Sequence, residues 1–145
     1  MFRSQICSLF FVSTSFIAFS SGAQSLEPGM WHAVTNFTVD GVALQPSIGN
    51  ECISTAQTKD AKTTITSKLQ GIGCTLTEWN IQGNNLVAGL SCQTKGITAT
   101  GSLSGQFSEK AYHLEGHAFG FYQRIIPSVA SLVLNGQWVG ACTAP

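Results

Sequence analysis

His113, Glu115 and His117 follow one another at every second position. Alternate residues of a strand share a face, so all three point the same way. Imidazoles and a carboxylate at this spacing can ligate a divalent cation, because same-face neighbours lie about 7 Å apart. The two histidines are roughly 13 Å apart, too far to share one ion. A metal site here therefore needs a pair from this strand and help from elsewhere, for which His32 is the candidate. The competing reading is the solvated outer face of a half-buried sheet. Glu78 and Glu115 could pair as acid and base, yet nothing in their spacing links them. Nucleophilic catalysis has no foothold, since no serine sits in a Gly-x-Ser-x-Gly elbow and no glycine-rich loop leads into a helix. No catalytic residue, no enzymatic activity and no cofactor are expected.

The cysteines say more. The first residues read as an export leader: Arg3 gives the positive start, Ile6 to Phe19 is largely apolar and uncharged, and Ser21-Gly22-Ala23 offers small residues for cleavage after Ala23. The run is too short and too interrupted to span a bilayer, and no later segment is long or apolar enough to do so. Cleavage removes Cys7 and leaves Cys52, Cys74, Cys92 and Cys142. An even count in an exported chain favours disulfides, and no CxxC pair supports a zinc ribbon. Cys74 and Cys92 bracket two strand-like runs around Gln82-Gly83-Asn84. A three-residue loop there pairs Ile81 with Asn85, sets Leu76 opposite Leu90, and sets Cys74 opposite Cys92 at a distance a disulfide can span. The expected pairs are thus Cys74–Cys92 and Cys52–Cys142, with no free thiol left as a nucleophile.

Residues 24–145 then form a single domain, large enough for a hydrophobic core. Without Arg3, six basic side chains face seven acidic ones, a formal charge of −1. With no basic patch and no charge run, nucleic-acid binding and adhesion to anionic membranes are poorly supported. Trp31, Ala33, Thr35, Phe37 and Val39 alternate with polar residues as a first strand, and Asp40-Gly41 reads as a turn. Val42 to Ser54 is a looser strand broken at Pro46 and Gly49. One helix is expected from Ser54 or Thr55 to Leu69, ended by Gly71. After the cysteine hairpin, Ile97 to Phe107 alternates cleanly. A Glu109-Lys110 turn pairs Phe107 with Tyr112, Gly105 with Leu114 and Ala99 with Gly120. Arg124 to Leu134 reads as an irregular crossing and a strand, Asn135-Gly136 as a turn, and Gln137 to Cys142 as the last strand. The fold class is all-β with one short helix. It is an antiparallel meander of about eight strands, in a small calycin-like barrel or a sandwich, with two disulfides.

Pro28-Gly29-Met30-Trp31 opens this domain and Gly136-Gln137-Trp138-Val139-Gly140-Ala141-Cys142 closes it. Between them lie Glu51-Cys52-Ile53, and Cys74 and Cys92 around Gly83-Asn84. Together these resemble the domain-of-unknown-function family 3617, small exported proteins of Gram-negative bacteria. The resemblance implies a periplasmic location and the same disulfide framework. It implies no activity and no catalytic residues. Gly29-x-Trp31 is also similar to the opening motif of lipocalins, which implies a barrel and an apolar pocket.

The remaining aromatics point to binding or to core. Trp31, Trp79 and Trp138 suit either stacking platforms or buried plugs. Phe119, Phe121, Tyr122, Ile125 and Ile126 form the most apolar stretch, as core or as the lip of a pocket. Asn36-Phe37-Thr38 matches a glycosylation acceptor, which means little in a bacterium. The first expectation is a non-enzymatic periplasmic domain that binds a small apolar ligand or lipid. The second is an envelope module that binds a protein through a sheet edge or residues 121–134. The third is metal binding through His113, Glu115 or His117.

Overall fold

A computed structural model of the chain describes residues 25–143; the leader expected at residues 1–23 lies outside them. The strands are β1 (Gly29–Val39), β2 (Val42–Ala43), β3 (Ser47–Ile53), β4 (Cys74–Gln82), β5 (Asn85–Thr94), β6 (Ile97–Phe107), β7 (Ala111–Tyr122) and β8 (Ile126–Gly140). Between β3 and β4 lie the helices α1 (Thr55–Thr58) and α2 (Ala61–Gln70). All strands belong to one antiparallel sheet, in the order β2-β1-β8-β7-β6-β5-β4, with β3 also paired to β1. β3 takes the first half of the free edge of β1 and β2 takes its end.

The sheet is not closed, so the fold is neither a barrel nor a two-sheet sandwich. The reason lies between β3 and β4. That segment is helical, so it covers the inner face of the sheet instead of supplying a strand to bridge its two edges. Ala61, Ile65 and Leu69 of α2 join Trp31, Leu86, Leu90, Leu103, Leu114 and Leu134 in one buried cluster. Trp31, Leu103 and Leu114 have no exposed surface at all.

Two helices replace the single one expected. Ser54 and Gln57 form a capping box at α1. Asp60 then leaves the helical conformation and restarts the helix. One carboxylate oxygen accepts from the Lys62 amide at 3.0 Å and the other from the Thr63 hydroxyl at 3.0 Å. The segment from Val42 to Ser54 is also divided: residues 44–46, with Pro46, separate β2 from β3, and Gly49 lies inside β3.

The β6–β7 register is as expected from alternation, with Phe107 opposite Tyr112, Gly105 opposite Leu114 and Ala99 opposite Gly120. The cysteine hairpin reaches its expected pairing by a different route. Its loop has two residues, Gly83 and Asn84, because Gln82 pairs with Asn85. That register would separate the cysteines onto opposite faces. A bulge at Thr77 absorbs one residue of β4 and restores Leu76 opposite Leu90 and Cys74 opposite Cys92. The bulged Thr77 hydroxyl lies where a side chain at residue 89 would stand, which is why Gly89 suits that place. Both disulfides are formed, with Cα–Cα distances of 4.0 Å for Cys74–Cys92 and 5.5 Å for Cys52–Cys142.

Asn135-Gly136 is not a turn. β8 runs through it, with Asn135 opposite His113 and Val34, and Gly136 opposite Tyr112 and Ala33. Here the glycine serves a close approach: the Tyr112 ring occupies the space a Cβ on residue 136 would need. The ring stacks on Trp31 at 5.7 Å with an interplanar angle of 23°. Gly136→Ala must displace that ring, and is expected to cost about 1–3 kcal/mol in chemical denaturation of the oxidised protein. The two disulfides close loops of sequence separation 90 and 18. Loop-closure entropy makes the Cys52→Ser/Cys142→Ser variant less stable than Cys74→Ser/Cys92→Ser by about 1 kcal/mol; equal losses would show that entropy does not govern them.

Candidate functional site

The outer face of β7 carries His113, Glu115 and His117 in a row, all exposed. Their neighbours across β6 are Gln106, Ser104 and Ser102, and across β8 Asn135, Val133 and Ser131. His113 is engaged on both ring nitrogens: Nδ1 lies 2.6 Å from Asn135 Oδ1, and Nε2 lies 3.2 Å from Glu115 Oε1. His32 does not join them; its Nδ1 lies 2.8 Å from Asn50 Oδ1 on β3. Among the described residues, no group of three or more His, Cys, Asp or Glu side chains is placed to hold a metal ion. Glu78 lies on β4, with β5 and β6 between it and Glu115, so the two carboxylates are not brought together. What forms instead is a shallow depression of about 370 Å³, lined by His32, Gln106, His113, Asn135, Gln137 and Asn84. These amides and imidazoles stand beside Val34, Phe107, Ala111 and Tyr112, so the depression is mixed, with polar groups able to hydrogen-bond solvent or a polar surface.

Further along the same strands the outer face changes character. Phe119 stands opposite Val129, and Phe121 opposite Pro127. Phe119 and Phe121 meet edge to face at 5.6 Å. On β6 their neighbours are Thr100 and Thr98, too short to cover them. Phe119 is 54% exposed, Val129 53%, Ile126 51%, Phe121 and Tyr122 42% each, and Ile125 in the turn 75%. The stretch read from sequence as core or pocket lip is therefore mostly surface, while Leu132 and Leu134 of the same strand are buried. Val129 belongs to the patch and was not singled out by the sequence, because an isolated valine in a strand carries no signal of its face until the register is known.

This apolar end is held firmly. Gln123 and Arg124 adopt left-handed conformations, φ 49° and 65°, to turn the chain. The Gln123 amide donates to the Gly96 carbonyl at 2.6 Å, which ties this turn to the one carrying Lys95. Asp40, in the β1–β2 turn, accepts from the Val129 amide at 2.8 Å and the Ser128 hydroxyl at 3.0 Å. Three turns thus meet at one end of the sheet, with Lys95 and Arg124 in two of them and Asp40 already engaged in the third.

A family described as protein of unknown function (DUF3617) matches residues 26–142. The chain belongs to the DUF3617 family. No curated protein and no solved structure matches it. In this DUF3617 member the opening and closing motifs meet. Trp31 stands opposite Trp138, across β1 and β8. The Trp31 indole donates to the Glu27 carbonyl at 2.9 Å and that of Trp138 to the Pro28 carbonyl at 3.2 Å. A side chain at Gly29 would collide with the Trp138 ring. Lys110 lies over that ring at 4.7 Å. Trp31 is core, and Trp138 and Trp79 pack partly buried against it, so none offers a free stacking face at the outer depression.

Only the protonated imidazole of His113 can donate to both its partners. Its pKa is accordingly raised from the usual 6.5, first by Asn135 and then by Glu115. A folded value above the unfolded one means any stability from this contact is present below pH 6.5 and fades as pH rises through the folded pKa. The ring is exposed, so that contribution is small. An NMR titration should place His113 above the unperturbed value, and Asn135→Ala should lower it more than Glu115→Gln. A titration unmoved by either variant would show that the two hydrogen bonds do not form in solution.

Proposed function

We propose that this protein is a non-enzymatic domain of the bacterial envelope that docks on an anionic lipid surface through the apolar end of β7 and β8. The reading includes export: the leader ending at Ala23 delivers the chain to the periplasm, where its disulfides form. Among the described residues no helix is long and apolar enough to cross a membrane. Contact with lipid would then be made from the surface.

The observation that carries this reading is the exposure of Phe119, Phe121, Tyr122, Ile125, Ile126 and Val129 around one turn. Half-exposed side chains of this size each gain about 1 kcal/mol when moved out of water. Together they suffice for reversible attachment. The sequence as a whole offers no basic patch and speaks against an anionic surface; the fold changes that reading locally, because it joins the two turns that carry Arg124 and Lys95, where they would meet headgroup phosphates. The middle of the inner face supports surface contact over a lipid enclosed there, because Trp31, Leu86, Leu103 and Leu114 fill it.

The test is co-sedimentation with phosphatidylglycerol-containing vesicles, beside pure phosphatidylcholine vesicles. Binding should favour the anionic vesicles, weaken with salt, and fall about tenfold or more in Ile125→Asp and Phe121→Ser, with near-UV circular dichroism unchanged. A protein that stays in the supernatant with both vesicle types would overturn the reading and turn attention to a protein partner at the same end. Binding that ignores both substitutions would do so as well.

A further inference from the structure

A second concavity lies on the inner face, between α2 and the β1–β3 edge. It arises from one row of the sheet. Tyr112, Gly136, Ala33 and Gly49 are directly opposed across β7, β8, β1 and β3. The three residues after Tyr112 are small, so its ring lies flat over Gly136. On one side of the row stands Glu51, opposite Trp31; on the other stand Leu134, Thr35 and Ser47. Lys68, Leu69 and Ile72 close it from the helix side, leaving a cleft of about 360 Å³.

The cleft has three properties that a filled core lacks. Its only charged lining residues are Glu51 and Lys68, which pair with each other. Ile72, with Leu134 and Ala33, gives it apolar walls, over the fully buried Leu69. The Tyr112 phenol borders it with no hydrogen-bond partner among the described residues, although the residue is only 7% exposed. A buried hydroxyl left without a partner is costly unless something completes it.

We propose that this cleft binds a small apolar amino acid as its zwitterion. The ligand carboxylate accepts from the Tyr112 hydroxyl and Lys68, its ammonium donates to Glu51, and its side chain rests on Ile72 and Leu134. A bare carboxylic acid would bring a negative charge beside Glu51, and a bare amine would bring a positive one beside Lys68. A zwitterion instead replaces the Glu51–Lys68 pair with two complementary ones. A phenol is a donor at neutral pH in any case, and burial first, then the nearby Glu51 charge, pushes this one further up, to about 12. This inference is independent of the lipid-docking end, which lies at the β7–β8 turn and shares no residue with the cleft.

Calorimetric titration of the disulfide-bonded protein with L-leucine, 4-methylpentanoate and 3-methylbutylamine tests it. Leucine should bind saturably, and each single-charge analogue at least about tenfold more weakly. Tyr112→Phe should weaken leucine about tenfold, the loss of one hydrogen bond to a charged group. Glu51→Gln, at an exposed position, should bring 4-methylpentanoate up to the affinity of leucine, a change that altered packing would not produce. No binding of leucine at about 10 mM would overturn the proposal. So would analogues that match leucine on the unmodified protein, or a Glu51→Gln variant that keeps full selectivity.

Discussion

The first and last strands of the domain lie side by side, and among the described residues the ladder between them is the one strand pairing that joins two parts of the sheet. β4 to β8 form a meander in which every strand pairs with its sequence neighbour. β1, β2 and β3 form a separate local unit. Among the described residues only the β1–β8 ladder makes them one sheet, over ten opposed pairs from Met30–Gly140 to Val39–Ala130. Without it neither part has a complete inner face, because Trp31 comes from one and Tyr112 and Leu114 from the other. Bringing distant segments together has an entropic cost that must be met before the pairing contributes. The chain concentrates its constraints at this seam: two tryptophans opposite each other, their indoles bonded to the Glu27 and Pro28 carbonyls, and Cys52 tied to Cys142.

That seam also accounts for where the sequence could be read and where it could not. Alternation between β6 and β7 gives the register directly, since one choice alone keeps the small and apolar sides together. The disulfide pairing was legible for a partly mistaken reason. A three-residue loop and a two-residue loop with a bulge at Thr77 give the same pairing beyond the bulge, and local spacing cannot separate them. Asn135-Gly136 misled because the dipeptide that favours a hairpin turn also satisfies a strand crossed by a neighbouring ring. Nothing near residue 136 in the chain announces that Tyr112 will lie over it. The openness of the sheet was likewise hidden, because it depends on the helices taking the place of a closing strand.

The histidines show the same limit at the candidate sites. Their shared face on β7 follows from period two alone, and the structure keeps it. What the strand could not reveal is the partner set: Asn135 for His113 and Asn50 for His32 come from β8 and β3. Those amides hold the imidazoles in separate hydrogen-bonded pairs, and the row does not converge on a common point. The cleft beneath α2 was still less accessible to reading, since Glu51, Lys68 and Tyr112 are brought together from β3, α2 and β7 by the sheet order and the helix placement.

Along β7 the outer row runs from His113, Glu115 and His117 to Phe119 and Phe121, and along β8 from Gln137 and Asn135 to Val129 and Pro127. The outer surface is thus divided along the strand direction, polar toward one end and apolar toward the other. Folding does not require that division. Threonine at positions 119 and 121 would suit an outward-facing strand as well as phenylalanine, as Thr98 and Thr100 beside them show, and would expose less apolar surface. Burial among the described residues does not explain these aromatics, because no described element covers them. Nor are they loosely held: the Gln123–Gly96 bond and the Asp40 carboxylate fix the turns around them. A rigid, exposed, apolar end carrying two cations is what attachment to a charged apolar boundary calls for, and the polar remainder of the face keeps the domain on the aqueous side of it.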